Sequence, residues 1–206
     1  MSRFTGPRLK VMRALGTELP GLSRKSIENR PNPPGQHGAK KTLRQRKSDF
    51  GVKLIEKQKL RFNYGISEKQ LKRLMLDARK GKEPTGTTLL QLLERRLDNV
   101  VFRSGFAPTI PAARQLVQHG HVVLNGKKVN IPSVRLKVGD EISLKQNSFK
   151  LPMVVETLQE PALIRPEWLS WNEIPALSKV AHLPAPEDVP FDIDVQQVVE
   201  YYANRI

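Results

Sequence analysis

The sequence predicts an α+β protein with a basic N-terminal arm, a helical domain and a module in which two helices precede a small antiparallel sheet. Three observations support this fold class. Apolar residues recur with helical spacing from about residue 48 to residue 120, alternation of period two follows, and residues 1–47 are basic and rich in turn residues. Helices followed by strands, rather than alternating with them, favour α+β over a parallel α/β sheet.

The charge distribution predicts a polyanionic partner. The 206-residue chain has a formal net charge of +15, and residues 1–103 hold 25 Lys and Arg against 9 Asp and Glu. Residues 104–206 hold 10 against 11, so the first half carries the whole excess. Such an imbalance is typical of nucleic-acid binding. Aromatic residues make up only 6% of the chain, which favours folded RNA over stacked single strands.

Composition excludes several function classes. The absence of cysteine excludes thiolate metal sites, and the four histidines (His37, His119, His121 and His182) lack the spacing of metal ligands, so we predict no metal and no cofactor. No window approaches the roughly 18 to 20 apolar residues that span a bilayer. The segment from Gly120 to Gly126-Lys127 does not match the phosphate-loop motif, because five residues separate its glycines where the motif has four. Because the sequence has no such apolar window, we predict that the protein does not span a membrane. Because it has no catalytic constellation either, we predict that it is not an enzyme.

Residues 1–47 are predicted to form a basic arm. They contain 12 Lys and Arg, 2 Glu and turn motifs at Gly6-Pro7, Pro20-Gly21 and residues 31–35. Alone, such a segment buries little apolar surface, and we expect it to become ordered on RNA. Two alternatives stay open for this basic N-terminus: a solvated tail without function, and an organelle transit peptide.

Residues 48–88 are predicted to contain two short amphipathic helices. The first begins at Ser48, runs to about Asn63, and is expected to expose its basic residues, Lys53, Lys57, Lys59 and Arg61. Ser67 and Gln70 match a capping box that begins the second helix. Apolar residues at helical spacing in both segments indicate a shared core.

Residues 89–145 are predicted to form the module of two helices and a sheet. A third helix begins near Thr87 and ends before Gly105, and its polar flank carries Arg96, Asn99 and Arg103. A fourth helix begins at Thr109 and ends at Gly120, and its outer face carries Arg114 and Gln118. The three arginines are expected to form one exposed ridge that bridges phosphates.

The sheet is predicted from a hairpin signal. Asn125-Gly126 is the strongest short turn signal, and alternating segments follow it up to about Leu144. Residues 156–206 then hold three basic and nine acidic side chains and six prolines, which predicts a loop-rich return segment. A short packed helix from Val195 to Tyr202 is expected to close the chain.

Three segments resemble the RNA-binding module named after the fourth protein of the bacterial small ribosomal subunit. They are Arg96-Leu97-Asp98-Asn99-Val100-Val101-Phe102-Arg103, residues 113–121 and residues 123–129. Some pseudouridine synthases, a tyrosyl-tRNA synthetase tail and a heat-shock RNA-binding protein share this module. The flanking motifs resemble the ribosomal protein family itself, in its zinc-free bacterial and plastid form: Gly6-Pro7-Arg8-Leu9-Lys10, residues 34–39, residues 56–59, Tyr64-Gly65 and residues 199–202.

The resemblance, which covers nearly the whole chain, implies a structural ribosomal protein. Its members bind small-subunit ribosomal RNA at a multi-helix junction, nucleate subunit assembly, contact the fifth small-subunit protein and influence translational accuracy. The basic arm is expected near messenger RNA at the entry channel. The implied location is the cytoplasm or, alternatively, the chloroplast stroma. The C-terminal helix of this family returns to the helical domain, which implies an arm (1–47), a discontinuous helical domain (48–88 completed by 175–206) and the RNA-binding module with its return segment (89–174).

The residues expected to contact RNA are the basic and amide side chains of the arm, the helices and the hairpin, together with one histidine. They are Arg3, Arg8, Lys10, Arg13, Arg44, Arg46, Lys47, Lys53, Lys57, Lys59, Arg61, Lys69, Arg73, Arg96, Asn99, Arg103, Arg114, Gln118, His119, Asn125, Lys127 and Lys128. Two alternative functions are an RNA-modifying enzyme and a stand-alone RNA chaperone. The roughly 100 residues outside arm and module are too few for a catalytic domain, and the terminal motifs disfavour the chaperone.

Overall fold

The structure, a computed structural model, describes residues 4–38, 48–174, 176–203 and 205. It divides into two compact units: the described residues up to Leu89 together with those from Phe191 onwards, and Leu90–Pro190. Helices and one antiparallel sheet coexist, which confirms the α+β class. Of the residues expected to contact RNA, Arg3, Arg44, Arg46 and Lys47 lie outside the described residues.

The described chain contains eight α-helices, five strands and two short 3₁₀-helices. The helices are α1 (Arg8–Leu15), α2 (Asp49–Asn63), α3 (Glu68–Ala78), α4 (Thr85–Glu94), α5 (Leu97–Arg103), α6 (Ile110–Gln118), α7 (Pro152–Gln159) and α8 (Val195–Ala203). The strands are β1 (Val122–Leu124), β2 (Lys127–Lys128), β3 (Glu141–Leu144), β4 (Leu169–Asn172) and β5 (Leu177–Val180), and the 3₁₀-helices are Gln146–Lys150 and Pro186–Asp188.

The first unit packs α8 against α2 and α3. Ser48 caps α2 by accepting the Gly51 N–H, and Ser67 and Gln70 form the predicted capping box of α3. Its core includes the fully buried side chains of Leu60, Leu71 and Met75. Hydrogen bonds across more than 130 residues of sequence then join α8 to the rest: Tyr202 Oη donates to Glu68, and the Asp194 N–H donates to Glu56.

Residues 4–38 form part of this unit instead of a loose arm. Met12, Leu19 and Leu22 are at most 3% exposed and make a core cluster, against which Val11, Leu15, Ile27, Phe62 and Phe191 pack. The Gly21 N–H also donates a buried hydrogen bond of 3.0 Å to Asn63 Oδ1. The expectation that the arm buries little apolar surface is therefore wrong for its described part, because α1 and the loop after it bring these apolar residues together.

The second unit contains a five-stranded antiparallel sheet of order β2-β1-β3-β5-β4. The predicted hairpin is confirmed: Asn125 and Gly126 adopt φ values of 49° and 77° between β1 and β2, as a tight two-residue turn requires. Two strands, β4 and β5, lie in the segment predicted to be loop-rich, and β5 pairs with β3. This pairing extends the unit to Pro190, beyond the predicted module boundary at residue 174.

A break between α4 and α5 replaces the single third helix predicted from the sequence. The segment 132–136 lies along the break: the Leu97 N–H donates to Val134 O, the Asp98 N–H donates to Pro132 O, and the Leu136 N–H donates to Arg95 O. These bonds take backbone groups that a continuous helix would pair internally. The alternating segment predicted as a strand around Val134–Val138 is thus an extended brace with one isolated bridge, between Arg135 and Arg96.

Candidate nucleic-acid interface

Burial sorts the described side chains expected to contact RNA into three groups. Five are buried: Lys57, Lys59, Arg96, Asn99 and Arg103. Four are half-buried: Arg13, Lys53, Arg61 and Arg114. Nine are exposed: Arg8, Lys10, Lys69, Arg73, Gln118, His119, Asn125, Lys127 and Lys128. Only an exposed charge can meet a phosphate without rearrangement, so the buried group needs a separate explanation.

Asp98 is the carboxylate partner of two of these arginines, Arg96 and Arg114. Arg96 donates to its carboxylate through both prongs of the guanidinium, with Nε 3.1 Å from Oδ1 and Nη2 3.0 Å from Oδ2. Arg114, on α6, donates to the same Oδ2 from Nε at 3.1 Å and from Nη2 at 2.6 Å. The Asp98 side chain is 1% exposed, so one buried carboxylate lies between two guanidinium groups, that of Arg96 just before α5 and that of Arg114 on α6.

Glu94 provides the second buried carboxylate. Asn99 Nδ2 donates to Glu94 Oε2 and to its backbone oxygen, both at 2.9 Å. Arg103 forms an ion pair with Glu94 at 3.6 Å and donates to Asp188 O at 2.6 Å. Together with Asp98, these bonds fasten the end of α4 to α5, to α6 and to the 3₁₀-helix at Pro186–Asp188. We call this set the arginine network.

The arginine network overturns the expected exposed ridge. Arg96 and Arg103 are buried with carboxylate partners, and Arg114 is tied to Asp98 with only 14% of its side chain exposed. Moving ions out of water costs several kcal/mol each, and good pairing is needed to offset that cost. The network therefore fixes the geometry of the helices, and its charges are largely compensated inside the unit.

Two lysines of α2 are similarly buried, which corrects the expectation that this helix exposes them. Lys57 Nζ donates to Glu68 Oε2 at 2.9 Å and lies 4.9 Å from the centre of the Tyr201 ring. Lys59 pairs with Glu56 at 2.8 Å. Because Glu68 and Glu56 also accept hydrogen bonds from Tyr202 and from the Asp194 N–H, both lysines belong to the anchorage of α8.

The surroundings of this anchorage shift the pKa values of two groups, Tyr202 and Glu68. Burial, reinforced by the hydrogen bond to Glu68, raises the pKa of Tyr202, so its hydroxyl remains a proton donor at all physiological pH values. Burial alone would raise the pKa of Glu68, but the hydrogen bonds from Tyr202 and Lys57 outweigh it and lower that pKa. Glu68 is therefore a carboxylate held ionised by two donors.

The exposed cations expected to contact RNA lie on two surfaces, one in each unit, apart from Arg8 and Lys10 on α1. In the second unit, Gln118, His119, Lys127 and Lys128 lie at the carboxyl end of α6 and on the adjacent β1–β2 hairpin. We call this surface the hairpin face. The side chain of Asn125 is exposed but bonded, since its amide donates to Asp140 Oδ1 and accepts from the Glu141 N–H, both at 2.8 Å. Asn125 therefore braces the turn.

In the first unit, Lys69, Lys72 and Arg73 lie on the exposed side of α3 around Leu76, and Lys80 follows its end. We call this surface the α3 face. Lys72 and Lys80 were not among the residues expected to contact RNA, although Lys72 lies three residues from Lys69 and both lysines lie four residues from Leu76, spacings that share a helix face. The Lys72 ammonium also donates to Arg205 O at 3.0 Å.

A third basic group was also missed. Arg95 Nε donates to Leu136 O at 2.7 Å, beside the exposed Arg135 and Lys137. Burial, together with the positive charge of Arg135, lowers the pKa of Arg95, although Asp140 partly opposes this. The signal was weak because these residues meet only through the break between α4 and α5.

Within the described residues, no group of three or more His, Asp or Glu side chains is arranged to hold a metal ion. In the same part of the chain, no helix combines the length and apolar character needed to cross a membrane. Arg165, half-buried, stacks 4.0 Å from the centre of the Trp171 ring and donates to Ser104 O, so it belongs to neither basic surface.

Two family models account for most of the chain. Residues 3–94 match the Ribosomal protein S4/S9 N-terminal domain, and residues 95–142 match the S4 domain. The second match contains the arginine network's Arg96, Asp98 and Arg114 and the whole β1–β2 hairpin. An S4 domain joined to this N-terminal domain defines a ribosomal protein, as distinct from an enzyme that carries the module.

Full-length relatives agree with these domain matches. The chain is 79% identical to small ribosomal subunit protein uS4 of Methylobacillus flagellatus and 73% identical to uS4B of Nitrosomonas europaea, each over 206 residues and all of both chains. It is 48% identical to uS4 of a Synechococcus species, again over the full length of both. The chain belongs to the uS4 family of small ribosomal subunit proteins.

Proposed function

We propose that the chain binds small-subunit ribosomal RNA directly, at a multi-helix junction, and nucleates assembly of the subunit. The observation that carries this proposal is a set of exposed cations without carboxylate partners among the described residues: Lys69 and Arg73 on the α3 face, and Lys127 and Lys128 on the hairpin face. Each buried cation is paired with a carboxylate of its own unit, so these exposed charges provide the positive surface.

Both surfaces suit recognition of folded RNA. Phosphate oxygens and 2′-hydroxyl groups are what an RNA helix presents, and lysine and arginine on regular secondary structure can meet them. The α3 face lies on a helix, and the hairpin face lies where α6 ends beside a braced turn. Single-strand recognition needs exposed stacking aromatics, whereas Tyr64, Phe106 and Trp168 are buried, and the exposed rings of Phe4 and Phe50 pack against other aromatic rings of the chain.

The family membership supports three finer proposals. The chain contacts the fifth small-subunit protein, influences translational accuracy, and lies close to messenger RNA at the entry channel through its N-terminal basic residues. Its bacterial relatives favour a location in the cytoplasm over the chloroplast stroma. Ribosomal RNA and neighbouring ribosomal proteins are thus its proposed partners.

The proposal is tested by binding of the full chain to a labelled small-subunit RNA fragment that contains the junction, across a series of salt concentrations. We expect the logarithm of the affinity to fall linearly with the logarithm of salt, with a slope that corresponds to roughly 6 to 10 phosphate contacts. An RNA duplex of equal length without a junction is the matched control and should bind more weakly. A slope near zero, or equal affinity for both RNAs, would contradict direct recognition of the junction.

A further inference from the structure

The side chain of Lys128 crosses the bare backbone of Gly120. A Cβ atom placed on Gly120 would lie 2.2 Å from Lys128 Cε and 3.0 Å from Nζ. Real Cβ atoms do not approach other atoms so closely, so any residue other than glycine would displace the lysine side chain. Gly120 also has a φ of +71°, in the left-handed region. Asparagine tolerates that conformation, so the steric contact with Lys128 is a separate reason for glycine.

The backbone on both sides of this contact is fixed. Gly120 ends α6, with its N–H bonded to Val117 O at 2.9 Å. Lys128 pairs with Val123 across the hairpin, and the Val129 N–H donates to Val122 O. The side chain of Asn125 also braces the loop between the two strands. The lysine side chain therefore runs from the hairpin through the space that Gly120 leaves open at the end of α6.

The surroundings favour a cation at this place. The carbonyl end of a helix carries partial negative charge, which attracts the ammonium group of Lys128 toward the end of α6. In the described chain no carboxylate pairs with this ammonium, and Lys128 stays exposed to solvent beside the exposed Gln118 and His119. Lys127, which precedes it on the strand, is exposed as well. The ammonium thus lies beside the end of α6 and is open to an anion.

We propose that Gly120 is a positioning residue for RNA binding, which seats Lys128 so that its ammonium meets one phosphodiester group of the RNA. This inference rests on the proposed function and specifies one contact within it. A lysine already held in one arrangement loses less side-chain freedom on binding than a freely rotating one. The space at Gly120, which we call the seat of Lys128, therefore raises the affinity for RNA, although Gly120 contributes no atom to the contact.

The test compares the full-length chain with Lys128→Ala, Gly120→Asn and the double variant in the junction-binding assay. Loss of one phosphate contact should weaken binding roughly three- to tenfold and lower the salt slope by about one unit. We expect the same loss from Gly120→Asn, and no further loss in the double variant, because both changes remove the same contact. Circular dichroism checks that each variant is folded, and Gly120→Ala provides a second, smaller replacement.

Two matched controls isolate the seat. Gly126 has a φ of +77° and open space around its Cβ position, so Gly126→Asn imposes the same backbone demand without touching a lysine. Lys179→Ala removes one exposed positive charge from β5, where Lys179 pairs with Glu141. Both controls should keep the wild-type salt slope to within a few tenths of a unit, since each leaves the Lys128 contact intact.

Three outcomes would overturn the inference. Lys128→Ala could bind like the wild type, which would show that no phosphate lies there. Gly120→Asn could keep the wild-type affinity and slope while Lys128→Ala loses them, which would show that the lysine needs no seat. Equal losses in Gly120→Asn and Gly126→Asn would assign the effect to the backbone. A wild-type slope near zero would instead refute the proposed function, so the two failures are distinguishable.

Discussion

The two units bury positive charge in different ways. In the second unit, Arg96 and Arg114 share Asp98, and Arg103 pairs with Glu94, so the carboxylates and the arginines all lie between residues 94 and 114. In the first unit, Lys57 and Tyr202 both donate hydrogen bonds to Glu68, and Tyr202 lies 134 residues from Glu68 in the sequence. Apart from the bond from Arg103 to Asp188 O, the arginine network is local in sequence, whereas the lysine anchorage joins two distant segments.

This difference follows from the side chains. A guanidinium group can donate two parallel hydrogen bonds to one carboxylate, so Asp98 can fix two helices through defined geometry. An ammonium group is a point charge with three donors, and Lys57 needs both Glu68 and the face of the Tyr201 ring to be satisfied. The buried arginines of the second unit are thus paired through single carboxylates, whereas the buried lysines of the first unit are paired where α8 returns to α2 and α3.

The largest expected effect is the loss of Asp98. Asp98→Asn removes the buried carboxylate charge that Arg96 and Arg114 share, and breaking a buried pair in this way costs about 3 to 5 kcal/mol of unfolding free energy. Both tryptophans of the chain, Trp168 and Trp171, lie in the second unit. Urea unfolding followed by tryptophan fluorescence therefore reports on this unit selectively.

The control for this variant is Glu141→Gln. Glu141 pairs with Lys179 at 3.1 Å, but the two side chains are 45% and 48% exposed. An exposed pair of this kind contributes less than about 1 kcal/mol. If Asp98→Asn shifted the unfolding free energy no more than Glu141→Gln, the arginine network would not hold the second unit together.

A smaller effect is expected from Tyr202→Phe in the first unit. The change removes the 2.6 Å hydrogen bond from Tyr202 Oη to Glu68 and should cost about 1 to 2 kcal/mol. Tyr64 and Tyr201 remain as near-ultraviolet probes of the first unit, and tryptophan fluorescence should show no change in the second. Tyr201→Phe is the control, because the Tyr201 hydroxyl accepts a hydrogen bond only from the exposed Arg205 among the described residues, and its loss should cost less.

The same variant should change the pH dependence of stability. Because the pKa of Glu68 is lowered in the folded protein from its ordinary 4.5, the ionised carboxylate stabilises the fold above that pH, and this contribution is lost as pH falls through the lowered pKa. Without the Tyr202 hydroxyl the pKa of Glu68 rises toward its ordinary value. The acid-induced loss of stability of Tyr202→Phe should therefore be smaller than that of the wild type, and an equal loss would contradict the assignment.

The smallest effect on stability is expected on the α3 face. Lys69→Ala with Arg73→Ala should leave the unfolding free energy within about 0.5 kcal/mol of the wild type, since both side chains are exposed. The salt slope of RNA binding should fall by about two units, one for each phosphate contact. Lys57→Ala is the comparison within the same unit: it should lower stability by about 1 to 3 kcal/mol, because Lys57 is buried and donates a hydrogen bond to Glu68. A double variant with unchanged RNA binding would remove the α3 face from the interface.

Local signals predicted the elements that local interactions build. The capping box at Ser67 and Gln70, the cap of α6 at Thr109 and the Asn125-Gly126 turn each satisfy backbone groups within four residues. The same logic failed at the third helix, where hydrogen bonds from a segment about 40 residues away divide α4 from α5. Helical spacing continues through that break, so it could not be detected from periodicity alone.

By itself, the sequence determined the α+β class, the hairpin, the family and the excess of positive charge. The tertiary structure alone decided which of those charges stay in water. Lys127 and Lys128 remain exposed at an edge strand, whereas Arg96 and Arg103 are buried because Asp98 and Glu94 lie within reach in the folded chain. Helical spacing gives the direction of a side chain but not the groups that face it, and the cost of burying a charge depends on those groups.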